Sequence, residues 1–115
     1  MIKKVPDNPS VSVIGAGYIG AVIGAVLADK MCDVTLIDIN EKIVNYYQKG
    51  KSPISEPGLD KLIRKVSKKG FLNATTDYSV IKNSDVILIT VGTPLKEDGT
   101  ADKNAIESTV SSLMP

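Results

Sequence analysis

A chain of 115 residues is long enough for one small domain with a real core. Its 43% apolar and 23% charged residues are ordinary for a globular protein, and 14 basic against 13 acidic residues, spread along the chain, argue against a nucleic-acid surface. The single cysteine, Cys32, excludes an internal disulfide framework and fits a reducing, cytoplasmic setting, while the lack of histidine excludes a Ser-His-Asp triad and a His-ligated metal site.

Residues 1–10 form a polar lead containing Pro6 and Pro9. The run Val11 to Ala28 then carries no charge, and Gly20 and Gly24 have the spacing by which membrane helices pack. It nevertheless divides. Val11 to Ile14 is a short apolar stretch stopped by glycine, which fits a buried parallel strand. Tyr18 to Lys30 reads as a helix with Ile19, Val22, Ile23, Val26 and Leu27 on one face, and Gly24 is expected to be a helix–sheet packing contact. Val34 to Ile37 is a second strand ending at Asp38, followed by a helix from Glu41 to Lys49 that stops at Gly50. A loop with two prolines, Lys51 to Gly58, leads to a helix from Leu59 to Lys69, with Lys68-Lys69 suited to its C-terminal end. Phe71 to Ala74 is a weak strand, Tyr78 to Lys82 a helical turn, and Asp85 to Val91 the clearest buried strand. After Gly92-Thr93-Pro94 and a polar loop, Asp102 is a good N-cap for a last helix. Strands alternating with helices imply an α/β fold, a Rossmann-type parallel sheet of about four strands with helices on both faces. A membrane span or signal would not be followed by such a register.

Gly15-Ala-Gly17-Tyr-Ile-Gly20 has the spacing G-x-G-x-x-G, and it lies between a predicted strand and a helix. Gly15 permits the tight turn, Gly17 lets the backbone approach a pyrophosphate, and Gly20 lets the helix lie close to the strand. Amides at the helix start favour a phosphate's charge. Asp38, 18 residues after Gly20, can accept hydrogen bonds from ribose hydroxyls and would repel a 2′-phosphate, so NAD is expected over NADP. Cys32 precedes its strand, at the end away from the ligand crevice, and reads as a buried structural thiol. Thr93 follows its strand on the ligand side, where it either faces the cofactor or merely belongs to a strand-ending turn.

Beyond the glycines, "DIN" (Asp38 to Asn40), "GKSPISEPGL" (Gly50 to Leu59), "ATTD" (Ala74 to Asp77), "SDVILITVGTP" (Ser84 to Pro94) and "KEDGTAD" (Lys96 to Asp102) run in order. Together they resemble the UDP-glucose/GDP-mannose dehydrogenase family, and the proline-rich loop with Gly-Thr-Pro carries most of that specificity. The resemblance implies that Gly15, Gly17, Tyr18, Ile19 and Gly20 hold the pyrophosphate of NAD, that Asp38 holds the adenosine ribose, and that Thr93 touches the cofactor. Where the family usually has Lys or Arg, five residues after that Asp, this chain has Ile43; Lys42 is the candidate in its place. "ESTV" (Glu107 to Val110) is similar to a later family stretch but falls inside the last predicted helix and is set aside.

The resemblance further implies oxidation of a nucleotide-sugar C6 alcohol to a carboxylate with two NAD, through a cysteine that lies in later parts of the family sequence. On this reading residues 11–115 are the N-terminal part of the NAD-binding domain, catalytically inert alone, with the fourth strand left as an exposed edge. The substrate would be UDP-glucose or UDP-N-acetylmannosamine, and the parent enzyme a homo-oligomer with neither nucleic-acid nor membrane partners. An NAD-sensing regulatory module and a hydroxyacid-type dehydrogenase share the glycine turn, but neither needs the Lys51 to Gly58 loop.

Overall fold

The computed structural model describes residues 7–91 together with Glu107 and Ser111. The Gly92-Thr93-Pro94 turn lies outside the described residues, as does the last predicted helix apart from Glu107 and Ser111. The elements are β1 (Ser10–Ile14), α1 (Tyr18–Asp29), β2 (Asp33–Ile37), α2 (Glu41–Gln48), α3 (Leu59–Lys68), β3 (Leu72–Thr75), a 3₁₀ helix (Tyr78–Asn83) and β4 (Val86–Ile89). Every predicted element within the described span is present, with ends shifted by a residue or two, but β4, expected as the clearest buried strand, alternates half-buried and exposed residues, with Ile87 and Ile89 exposed. Among the described residues no helix is long and apolar enough to cross a membrane.

All strand pairs are parallel, in the order β3-β2-β1-β4. Chain order thus runs outward from β1 through β2 to β3, then returns to the far side of β1. That reversal opens a crevice beyond the carboxyl end of β1, where ligands of such sheets bind. The register levels the strand ends, with Ile14 paired to Ile37 on one side and to Ile89 on the other.

One face of the sheet, built from Val11, Val13, Val34, Leu36, Leu72 and Ala74, packs with residues of α1, α2 and α3 in one core cluster. Each large aliphatic side chain so buried contributes about 1.5–3 kcal/mol. The return from β3 to β4 runs through the 3₁₀ helix, and a right-handed crossover puts that element on the opposite face. There Ile14 and Ile37 are fully buried, and Ser12, the buried polar residue of this face, pairs its hydroxyl with that of Ser84.

The face of α1 differs from expectation. Its buried residues are Gly20, Ala21, Gly24, Ala25 and Ala28, whereas Ile19 is 63% exposed and Val26 is also exposed. The helix lies so close to the sheet that a Cβ at Gly24 would come 2.7 Å from Leu36 Cδ2. Small residues permit that approach, and the bulky ones are turned aside. Gly24 is therefore the packing contact expected of it.

Helices α1, α2 and α3 end alike. Past α2 and α3, Gly50 and Gly70 take the left-handed conformation, and the paired bonds Gly50 N–H to Tyr47 and Lys51 N–H to Tyr46, Gly70 N–H to Ser67 and Phe71 N–H to Val66 close the last turns. After α1 the same bonds form from Met31 to Ala28 and from Cys32 to Leu27, but the left-handed place is taken by Met31, at φ 72°. Cys32 follows it into the core as a buried free thiol at the start of β2.

Candidate functional site

Between β1 and α1 the peptide units of the glycine turn are held from the ends of β2 and β4 and from α2. The Gly15 N–H donates to the Ile37 carbonyl at 2.8 Å, continuing the pairing with β2. Gly15 itself sits at φ +100°, which only glycine adopts without strain. Its carbonyl oxygen accepts a 2.7 Å bond from Thr90 Oγ1, and the Thr90 N–H donates to the Ile14 carbonyl. The Ala16 N–H donates to Asp38 Oδ2 at 2.9 Å, and the Ala16 carbonyl accepts from the Tyr47 hydroxyl at 3.0 Å.

The glycines of the turn have different neighbours. A Cβ at Gly20 would collide with the Gly15 carbonyl oxygen and lie 2.6 Å from Thr90 Oγ1. This is the close helix–strand approach expected of the third glycine. Among the described residues, a Cβ at Gly17 would meet nothing within 4 Å. Gly17 is also the N-cap of α1, with no side-chain cap, at the positive end of a 12-residue helix. Backbone amides so placed suit an anion such as a phosphate.

Asp38 follows β2 at the same level. Its Oδ2 braces the turn, and its Oδ1 accepts from the Asn40 N–H at 2.9 Å. Each oxygen carries one backbone bond and so keeps capacity to accept another from a diol. Tyr18, Ile19 and Ile39 are large, exposed residues that follow directly from β1 and β2. Tyr78 is close enough for the Asp38 charge to act on its phenol, which burial chiefly, and that charge in addition, pushes above the usual tyrosine range.

Gly15, Gly17, Gly20 and Asp38 are thus brought together, with Tyr18 and Ile19 in the first turn of α1. Lys42 is not drawn into this cluster. It is exposed on α2, whose start is capped by the Asn40 side chain, and with Asn45, Tyr46, Lys49 and Lys51 it lines a groove of about 330 Å³. Thr93 lies outside the described residues. The proline-rich loop makes a second hollow of about 450 Å³, lined by residues including Ser52, Ile54, Glu56 and Asp60, and held by a 2.9 Å bond from the Ser52 N–H to Asp60 Oδ1. Among the described residues there is no cluster of acidic, cysteine or histidine side chains suited to a metal.

Sequence reasoning missed two side chains of the turn. Thr90 carries a signal in its position at the end of the clearest strand, directly before Val91-Gly92. Tyr47 reads as one more apolar residue of an amphipathic helix, and its contact with Ala16 has no signature in spacing.

The family model for the UDP-glucose/GDP-mannose dehydrogenase family, NAD binding domain, matches residues 9–115. UDP-glucose 6-dehydrogenase YwqF of Bacillus subtilis is 44% identical over 98 residues, which are 84% of this chain and 22% of that enzyme. Among solved structures, a ternary complex of GDP-mannose dehydrogenase from Pseudomonas aeruginosa superposes with a TM-score of 0.84 at 38% identity, over 86% of this chain and 23% of that one. UDP-D-ManNAc dehydrogenase of Pyrococcus horikoshii gives 0.86 at 30% identity, over 90% and 25%. This chain therefore spans about a quarter or less of the relatives it matches. With the family model matching from Pro9 onward and a fold superposing closely on a GDP-mannose dehydrogenase, the chain belongs to the UDP-glucose/GDP-mannose dehydrogenase family, within its NAD-binding domain.

Proposed function

We propose that this chain is the N-terminal part of the NAD-binding domain of a nucleotide-sugar 6-dehydrogenase, and that its glycine turn and Asp38 hold the cofactor. The room over Gly17, where a Cβ would meet none of the described residues, beside amides at the start of α1, carries this reading. Gly15, Gly17, Tyr18, Ile19 and Gly20 would follow the pyrophosphate, and Asp38 would accept from the adenosine ribose hydroxyls while holding the Ala16 amide. Thr93 and Lys42 are assigned to the cofactor on family resemblance. When bound, NAD would supply the hydride acceptor; the residues here bind and orient it.

The proposed reaction of the whole enzyme is oxidation of a UDP-sugar, UDP-glucose or UDP-N-acetylmannosamine, to its uronate with two NAD, in a homo-oligomer. Relatives named for UDP-glucose and UDP-D-ManNAc support that substrate class. The catalytic residues are assigned to a part of the enzyme beyond this sequence, so the chain alone is expected to bind NAD without turning over a sugar. Calorimetric titration with NAD and NADP tests the cofactor reading. NAD should bind at least tenfold more tightly, a difference of about 1.4 kcal/mol. A preference for NADP would overturn the role of Asp38.

A further inference from the structure

Tyr47 comes from α2, is 1% exposed, and yet spends its hydroxyl on the turn rather than on its own surroundings. Its partner is the carbonyl of Ala16, which belongs to the same peptide unit as the Gly17 N–H. No cis peptide occurs among the described residues, so this unit is trans and planar, and its N–H points opposite to its C=O. Fixing the carbonyl toward the buried Tyr47 therefore fixes the Gly17 N–H on the opposite side of the unit, away from Tyr47. The preceding unit is already fixed on both sides, by Thr90 at the Gly15 carbonyl and by Asp38 at the Ala16 N–H. The Ala16–Gly17 unit is the remaining one, and Tyr47 sets its rotation.

We propose that Tyr47 is a positioning residue for the cofactor's pyrophosphate, aiming the Gly17 amide at it by holding the Ala16 carbonyl from within the core. The inference rests on the NAD reading above and assigns to this site a determinant outside the glycine motif. Without the hydroxyl, the Ala16 carbonyl would lose its buried donor, and the peptide could rotate to seek another. Burial chiefly pushes the Tyr47 phenol up to about 12, with the Asp38 charge adding to the effect and the Ser52 hydroxyl opposing it. The phenol thus keeps its proton, and stays a donor, throughout the neutral range.

The test compares two ligands on the full chain. NAD reads the turn and the ribose site together, whereas adenosine reads the ribose site without a pyrophosphate. Tyr47→Phe keeps the ring and removes the hydroxyl. The expected result is a Kd for NAD raised by about tenfold with that for adenosine unchanged, the loss being that of one buried hydrogen bond. If both ligands weaken in step, or neither does, Tyr47 is only a packing residue and the proposal is overturned. Amide NMR of the unaltered chain gives a second measurement that does not depend on the variant folding. On saturation with NAD the Gly17 amide should shift strongly and exchange more slowly; a Gly17 amide that stays put while the Asp38 region responds overturns the proposal but leaves NAD binding standing. No response anywhere to NAD overturns the cofactor reading and this inference with it.

Discussion

A methyl group added at Gly20 would drive into the Gly15 carbonyl, a backbone atom held in place by Thr90, while the same group at Gly17 would meet none of the described residues. Gly20→Ala should therefore cost about 2–3 kcal/mol of stability, as overpacking against an immobile neighbour does. Gly17→Ala should change stability by less than about 1 kcal/mol and lower NAD affinity by about tenfold, because the methyl fills only the ligand's room. Urea unfolding and calorimetry on the two variants separate these effects. Tyr47 makes a prediction in pH. Its folded pKa, about 12, lies above the ordinary value of 10.0, so its contribution to stability is fully present below pH 10 and is lost as pH rises toward 12. Unfolding midpoints measured from pH 9 to 12 should fall more steeply for the unaltered chain than for Tyr47→Phe. The glycines and Asp38 were legible in the sequence because each answers to a local demand: a positive φ, a close approach, an acceptor at a strand's end. Thr90 and Tyr47 were not, since they act on the turn from 75 and 31 positions away, where no spacing rule reaches.

The strands and helices could be read from runs of β-branched residues and from the stops at Gly50 and Gly70. The orientation of α1 could not. Its large residues recur at helical spacing and so suggested the buried side, but the buried side holds the alanines with Gly20, close to the Gly15 carbonyl, and Gly24, close to Leu36. Hydrophobic periodicity reports which face is bulky, and burial here follows which face is thin. The end of α1 was equally hard to anticipate, because Met31 stands where the other two helices place glycine. A left-handed conformation costs a residue with a Cβ roughly 1–2 kcal/mol. Met31 is 56% exposed, so little packing is at stake. Met31→Gly should accordingly stabilise the chain by about 1 kcal/mol, measured as a higher urea midpoint with an unchanged slope. A lower midpoint would mean that the Met31 side chain contributes more by contact than its backbone loses by strain. The ion pair that joins α1 to α3, Asp29 to Lys65 at 3.0 Å, lies at the surface. Lys65 holds the Asp29 carboxyl below its ordinary pKa, but water and salt screen the pair, and the buried small-residue contact carries the packing of α1.

At the scale of the molecule, binding and folding should be linked, because the turn proposed to hold the ligand is also where β1, β2, α2 and the end of β4 meet. NAD at a hundred times its Kd should stabilise the chain by about 2.7 kcal/mol, seen as a rise in melting temperature. Asp38→Ala should abolish most of that increment while lowering the starting temperature, since the carboxylate is the proposed ribose acceptor and also braces Ala16. An increment preserved in the variant would remove Asp38 from the site. The parallel sheet was implied by the alternation of strands and helices, but the sequence held no direct sign that β4 closes on the far side of β1. That placement has a consequence for how the protein is made. The residues of the glycine motif leave the ribosome early, while the hydroxyl that secures Gly15 belongs to Thr90, and closing so long a segment is slow compared with forming a local turn. A nascent chain that has emerged only through β3 already carries the glycines, Asp38 and Tyr47, but its Gly15 carbonyl still awaits Thr90. Competence to hold a ligand should thus arrive with the fourth strand rather than with the motif that announces it.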